Sequence, residues 1–403
     1  MFRSKGYSIS NYKFSILIIT VLLSSLGLIV LQKLTVSGNT GMFSKQLIGL
    51  FAGLIIAVIV SFVDYHFICK FCVPLYFFNI ALMLVCKFVT ESMFPFFYGK
   101  SVDEARRWIH IGGAGGTDIM PSEITKIVII ICLAKLFVTL EGRLNKPSSL
   151  FTVFAVVVVP VLLVFDQPDL STTIVIASTI VIMLFIAGLS YKIILPVLGV
   201  LIPLVLGFLW YVQQDYSDLI LKPWQKERIL AILHPELYPD LMYQQNNAAS
   251  AMESGNIFGK MITGSEDARL TRFVPVVESD FIFSGIGEEL GFLGTSLVII
   301  LYLSFLFIAL KVAINARDKM GTYIASGIAV MITIQALVNI GVVISLLPNT
   351  GIPLPFMSSG LSSLLTNFAT IGILINVGLQ NKNSAPVYDD VIVWGKYHKI
   401  TEN

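Results

Sequence analysis

The chain has 403 residues, of which 56% are hydrophobic and 13% charged, and its formal net charge is +2. Soluble globular domains carry about 25% charged residues, so this composition excludes an ordinary soluble enzyme and implies an integral membrane protein. The near-balanced charge gives no reason to expect nucleic acid as a partner.

The polar N-terminus, Met1 to Lys13, shows no cleavage site soon after it, so the first apolar span is expected to be retained. A bilayer core needs about 20 apolar residues per helix. Ten segments qualify: 14–33, 46–63, 67–89, 122–140, 148–165, 170–189, 191–212, 284–312, 320–346 and 357–379. The expected fold class is therefore an all-α integral membrane protein with about ten transmembrane helices, forming a single polytopic domain over 1–403. A large extracytoplasmic loop, 213–285, separates spans 7 and 8, and a tail follows at 380–403.

Lys and Arg set the orientation. Arg3, Lys5 and Lys13, then Arg143 and Lys146, Arg317 and Lys319, and Lys382, Lys396 and Lys399 all fall on one side of a ten-span chain. Both termini are thus expected in the cytoplasm, with 34–45, 90–121, 166–169, 213–285 and 347–356 facing outward. No internal repeat divides the spans into matching halves. The four cysteines, Cys69, Cys72, Cys86 and Cys132, all sit in apolar stretches. The Cys69–Cys72 spacing has neither a partner pair nor a βαβ context, so they read as small apolar residues of spans and not as a redox or metal site.

Polar residues cluster in the outward segments. Ala105-Arg106-Arg107-Trp108-Ile109 places two guanidiniums beside a Trp. That suits an anionic head at the membrane surface, although an interfacial anchor has the same appearance. Pro121 and Glu123 open a helix, and Lys126 follows three residues after Glu123 on the same face. A lysine at mid-bilayer costs about 3 kcal/mol unless paired. It needs an acid, and Glu123 and Asp280 are the candidates.

Asp166-Gln167-Pro168-Asp169 reads as a solvated outward turn. In the long loop, acids outnumber bases. Lys222-Pro223-Trp224-Gln225-Lys226-Glu227-Arg228-Ile229 has the pattern of an interfacial helix. Asp280, Glu288 and Glu289 ring the mouth of the eighth span, where a partly buried carboxylate near cations can serve as a general base. The last outward loop, 347–356, has three prolines within eight residues and reads as a rigid connection. Small residues, Ser358 to Ser363, follow it and permit close helix approach.

These motifs, in this order, resemble the SEDS family (shape, elongation, division and sporulation) of membrane peptidoglycan polymerases. The resemblance rests on Ala105 to Ile109, Pro121-Ser122-Glu123 with Lys126, Gln167-Pro168-Asp169-Leu170, and Pro223-Trp224-Gln225 to Ile229. It continues through Asp280 to Phe283 with Gly287 to Phe292, and Pro348 to Gly360. It covers nearly the whole chain. Four positions depart from the family pattern: Met120, Val276, Met261 and Leu361.

The resemblance implies an inverting glycosyltransferase that polymerises lipid II, the undecaprenyl-pyrophosphate disaccharide-pentapeptide, at the outer face of the bacterial cytoplasmic membrane. Asp280 matches the essential acid, which would activate the acceptor sugar's 4-hydroxyl, and Lys126 matches a lysine that can pair with it. Arg106, Arg107 and Trp108, with Lys126 and Glu123, are the candidate substrate-binding residues. The resemblance fixes no cofactor; a divalent cation (Mg or Mn) is the candidate, alongside Arg or Lys, for neutralising the pyrophosphate. The implied partners are a class B penicillin-binding protein and membrane lipids. Within the family the short N-terminal tail and the loop after residue 221 point to the elongation type, RodA. The readings from other classes are a flippase for the lipid-linked precursor and a non-catalytic scaffold for a transpeptidase.

Overall fold

The computed structural model describes residues 12–34, 40–102, 105–113, 116–167, 169–214, 223–264, 269–349 and 351–380. Arg3, Lys5, Ala114, Gly115, Pro168, Lys222, Thr350 and the tail from residue 381 lie outside the described residues.

Every expected span is helical. The chain runs through α1 (Phe14–Leu34), α2 (Thr40–Ser61), α3 (Tyr65–Lys70), α4 (Cys72–Phe88), α5 (Pro121–Thr139), α6 (Pro147–Asp166), α7 (Leu170–Ile186) and α8 (Tyr191–Val212). It continues with α9 (Pro223–Leu233), α10 (Pro239–Ser254), α11 (Lys260–Thr263), α12 (Ile282–Ile314), α13 (Lys319–Val343) and α14 (Leu361–Leu379). Seven of these helices are long and apolar enough to cross a membrane by length and composition. Cys72–Phe88 and Leu170–Ile186 are apolar but shorter, and α5 carries Glu123, Lys126 and Lys135.

The expected span 67–89 is broken at Phe71, which ends α3 and precedes α4. Pro74 explains the break, because in a continuous helix its ring would clash with the carbonyl of Lys70. The eighth span is broken too. Gly291, at φ 67 and ψ −162, interrupts α12. A Cβ at Gly291 would lie 2.5 Å from both Gly259 N and Ile257 O, so only glycine admits the loop so close. The backbone groups released there are taken by that loop: Phe292 N donates to Asn256 O (2.8 Å) and Leu293 N to Ile257 O (3.2 Å).

α13 is the central helix, buried along most of its length and packed against α5, α7, α10, α12 and α14. α2 lies along α14, and α1 along α12. α8 has no buried residue in its apolar window and reaches the rest of the fold chiefly through α9. All four cysteines are buried and free.

The segment 90–121, read from the sequence as an outward loop, adds a small sheet to the mostly helical fold. It forms an antiparallel three-stranded sheet, β1 (Phe97–Val102), β2 (Ala105–Ile111) and β3 (Thr117–Ile119), in that order. Trp108 pairs with Lys100, and Ile109 with both Gly99 and Ile119. The long polar loop is also structured. α10 packs on α12 and α13, burying Met242, Gln245, Ala248 and Ala251.

The two ends of the bundle are distinct. The sheet, the α9–α11 cap and the proline-rich loop meet at one end. At the other, His66 bridges Asp64 (2.9 Å) and Asp318 (2.7 Å), Gln380 donates to Asp64 (3.0 Å), and Tyr12 lies 3.4 Å from Ser61 Oγ. The first and last described residues therefore share an end, as an even number of crossings requires.

Glu288 and Glu289 prove to be staples for the cap. Glu288 accepts from Lys260 Nζ (2.5 Å), Leu270 N (2.5 Å), Thr271 N (2.8 Å) and Ser254 Oγ (3.2 Å). Glu289 pairs with Arg269. Neither glutamate is exposed. Glu288→Ala would remove the carboxylate that Lys260, Leu270 N and Thr271 N share, at an expected cost of roughly 3–5 kcal/mol. Thermal unfolding in detergent should show the loss, with faster proteolysis within 254–271. An unchanged cleavage rate there would contradict the staple role.

Candidate active site

The site is assembled from four segments at the sheet end of the bundle. The first is the start of α5. Pro121 occupies the first helical position, where its missing N–H costs nothing, and Glu123 lies in the first turn. Lys126 follows one turn later and bonds Glu123 Oε1 at 2.8 Å. Ser363 Oγ donates to Glu123 Oε2 (3.1 Å), and Lys126 Nζ also donates to Gln335 Oε1 (2.6 Å). Glu123 is 0% and Lys126 3% exposed. Burial at this depth is tolerable only because each charge has an opposite charge and a further hydrogen bond.

The second segment is β2. A register shift between Lys100 and Ser101 leaves Arg107 as an extra residue of the strand, and such a bulge re-aims side chains, so the two adjacent arginines take different partners. Arg106 Nη1 donates to Lys87 O (3.1 Å), near the end of α4. Arg107 Nε donates to Gln167 O (3.3 Å) on the other side. Of the pair, Arg107 is the one whose charge acts on Asp169 and Asp280. Trp108 is half-buried, and Cys86 Sγ donates to its carbonyl (3.5 Å).

The third segment is the turn between α6 and α7. Asp169, expected in a solvated turn, is buried. It caps α7 by accepting from Thr172 N (3.1 Å), and it also accepts from Ser122 Oγ (3.2 Å). Burial pushes its carboxyl above the usual range, with Glu123 acting in the same direction, while Arg107 and the Thr172 hydrogen bonds oppose. Gln167 is buried with no partner for either amide atom among the described residues.

The fourth is the stretch before α12, which carries Asp280. Its Oδ1 accepts from Ser279 Oγ (3.1 Å), and its carbonyl accepts from Asn339 Nδ2 (2.7 Å). The proline-rich loop lies over the carboxylate. A Cβ on Gly351, whose φ is +68, would sit 3.2 Å from Asp280 Oδ2 and 3.6 Å from Arg107 Nη1. Burial raises the Asp280 pKa to about 6. The Ser279 hydrogen bond and Arg107 work against this rise, and the like charges of Asp169 and Glu278 add to it.

The structure does not make the expected Lys126–Asp280 contact. Lys126 is satisfied by Glu123 and Gln335, and the cation acting on Asp280 is Arg107. Nothing in the residue pattern warned of Asn339, Gln335 or Gly351, because carboxamides in a span and a glycine among prolines are not distinctive. Val276 (φ 55) and Phe356 (φ 67), on the two segments that meet at Asp280, adopt left-handed backbone that neither residue type favours. Such outliers concentrate at functional sites. Among the described residues no group of three or more His, Cys, Asp or Glu is placed to hold a metal, so they form no metal cage of their own.

Lys126→Met would leave Glu123 buried and unpaired, at an expected cost of roughly 3–5 kcal/mol. Glu123→Met with Lys126→Met together should cost clearly less than Lys126→Met alone, read as thermal unfolding in detergent. Equal losses would show that the pair is not the closed unit described.

Comparison with known proteins places this geometry in a family. The family model described as FTSW_RODA_SPOVE, cell cycle protein, matches residues 13–383. A probable peptidoglycan glycosyltransferase FtsW of Trichlorobacter lovleyi is 31% identical over 382 residues, covering 93% of this chain and 94% of its own. Stage V sporulation protein E of Bacillus subtilis is 31% identical over 306 residues, covering 75% and 79%. Among solved structures, a chain from work on polymerization and crosslinking by a peptidoglycan synthase complex matches with a TM-score of 0.73 at 26% identity, over 91% of this chain and 97% of that one. The rod shape determining protein RodA of Thermus thermophilus matches in fold, with a TM-score of 0.63 at 22% identity over 91% and 96%. This chain belongs to the FtsW/RodA/SpoVE family of cell cycle proteins.

Proposed function

We propose that the protein is a peptidoglycan glycosyltransferase that polymerises lipid II into glycan strands, with Asp280 as general base. The carrying observation is the state of that carboxylate. Glu123, Asp169, Glu288 and Glu289 are all engaged by partners, whereas Asp280 Oδ2 accepts no hydrogen bond among the described residues and faces Gly351 and Arg107. A carboxylate with a pKa of about 6 is ionised at neutral pH yet basic enough to take a hydroxyl proton in the transition state.

In this reading the acceptor's sugar 4-hydroxyl gives its proton to Asp280. The freed oxygen pair bonds the donor's anomeric carbon from the face opposite the leaving group. The bond from that carbon to the pyrophosphate oxygen breaks, and the electron pair departs on undecaprenyl pyrophosphate, so the configuration inverts. Pyrophosphate leaves without protonation when cations neutralise it, and Arg107 is the cation beside Asp280 suited to that role. One base and a cation suffice, unlike the paired carboxylates of most glycoside hydrolases. Lys126 and Glu123 support the α5 end of the site from within the bundle. Trp108 and Arg106 suit the membrane interface, where aromatic and basic side chains anchor.

The protein is membrane-embedded as one polytopic domain. The excess of Lys and Arg in the loops of the His66 end supports a cytoplasmic location for that end and for both termini, with the Asp280 end outside. A class B penicillin-binding protein is the natural partner, since polymerised strands need crosslinking, and the similar synthase complex joins both activities. The flippase reading draws on the buried Glu123–Lys126 pair, but that pair is closed by Gln335 and Ser363 and opens no polar path. The elongation assignment rests on the loop after residue 221, while the curated relatives above carry FtsW and sporulation names. Depletion in the host separates the roles: rounded cells mark elongation, and unseptated filaments mark division.

Purified protein with its class B partner should form glycan strands from lipid II, and Asp280→Asn should lower the rate by roughly a hundredfold to ten-thousandfold. Undiminished polymerisation by a folded Asp280→Asn protein would remove the base assignment, and no polymer from a verified wild-type complex would remove the polymerase reading. The acid limb of kcat/KM should have its midpoint at about 6. Ionised Asp280 is the active form, so the rate falls as pH drops through that value, to roughly a tenth one pH unit below it. Asp280→Asn should abolish this limb.

A further inference from the structure

Gln335 and Asn339 lie one turn apart on α13, facing the same way, and both are buried. Each meets the proline-rich loop. Gln335 Nε2 donates to Pro353 O (2.9 Å), while its Oε1 accepts from Lys126 (2.6 Å). Asn339 Nδ2 donates to two carbonyls at 2.7 Å each, Asp280 O and Ile352 O. One amide nitrogen thus ties the backbone of Asp280 to the loop residue that follows Gly351. Gly351 is the residue lying against the Asp280 carboxylate and Arg107.

A packing role does not account for an amide at this position. Asn339 Oδ1 is buried with no partner among the described residues. A leucine of similar size would avoid that orphan acceptor, and buried polar atoms left without partners call for a reason. The two carbonyls supply it. Ile352 precedes Pro353, which has no N–H to offer, and Asp280 lies in irregular backbone ahead of α12.

We propose that Asn339 is the positioning residue for Asp280: by clamping the Asp280 and Ile352 carbonyls together, it holds the carboxylate against Gly351 and within reach of the Arg107 charge. The clamp also explains how Lys126 can matter to Asp280 without touching it. Lys126 orients Gln335, Gln335 fixes Pro353, and Asn339 fixes the adjacent Ile352 together with Asp280. The charged groups acting on the Asp280 carboxyl are Arg107 on β2, Asp169 at the head of α7 and Glu278 on its own segment. The inference deepens the polymerase reading, in which Asp280 is the base, but the geometry can be tested without polymerisation.

The experiment is a pH titration of the Asp280 carboxyl in the full-length protein in nanodiscs, isolated by infrared difference against Asp280→Asn. In Asn339→Leu the donors are gone, so the carboxyl should move towards water and its midpoint should fall from about 6 by about one unit, towards the ordinary carboxylate range. In Asn339→Asp, which keeps the shape, the added carboxylate should instead raise the midpoint. In polymerisation with the class B partner, both variants should lose about tenfold or more in kcat, with KM for lipid II within about twofold of wild type. If Asn339→Leu does not fold, the Asn339→Asp titration and its split of kcat against KM decide. An unmoved Asp280 midpoint in the folded variants, or a loss confined to KM, overturns the assignment. A wild-type protein that makes no polymer would overturn the polymerase reading instead, and the titration would still judge Asn339.

Discussion

Irregular backbone inside a membrane bundle must have its polar groups satisfied by protein, because lipid offers no hydrogen bonds. The proline-rich loop sharpens that demand. Pro348, Pro353 and Pro355 contribute carbonyls but no N–H groups, so the loop has fewer backbone donors than acceptors of its own. The donors come from side chains on surrounding helices. Gln245 of α10 takes Val342 O (2.8 Å) and Leu347 O (2.9 Å), Asn339 takes Ile352 O, Gln335 takes Pro353 O, and Tyr302 takes Pro355 O. These bonds lock α10, α12 and α13 around the loop. Asp280 is held within the same set, because Ser358 Oγ donates to Ser279 O and Ser359 N to Glu278 O.

Charge is handled in the same spirit. Burying ions is costly, and a buried pair is tolerable only when its remaining hydrogen-bonding capacity is also met. Glu123–Lys126, Glu288–Lys260 and Glu289–Arg269 all meet that condition. They fix α5 and the α9–α11 cap and have little capacity left for chemistry. Asp280 differs: it is held by its backbone, its Oδ2 accepts no hydrogen bond among the described residues, and the cation acting on it is Arg107. The left-handed Val276 and Phe356 lie on the two segments that meet at Asp280.

The cap and the sheet give the site its walls. α10 bears on α12 and α13, while Glu288 and Glu289 tie the cap's loop to the first turns of α12, directly after Asp280. β2 supplies Arg107 from the opposite side, next to the buried Asp169.

Much of this was legible in the residues. Runs of about twenty apolar residues mark the spans because a bilayer core has a fixed thickness, and all ten expected segments are helical. Pro121 and Glu123 fixed the start of α5, and the i, i+3 spacing paired Glu123 with Lys126, both through local geometry that a single helix determines. Asp280 stood out because an acid opening an apolar span is rare. What the sequence could not carry was partnership across long separations. The divergence of Arg106 and Arg107 follows from a strand that a loop-like sequence did not announce. The break at Gly291 follows from the approach of Gly259, and the pairing of Glu288 with Lys260 from the folding of the cap. Lys126 was expected at Asp280 but found Gln335, 209 residues away. Local spacing determines which face of a helix a residue occupies. Only the packed tertiary structure decides which donor meets which acceptor, because burial removes water as the alternative partner and leaves each polar group to the neighbour the fold supplies.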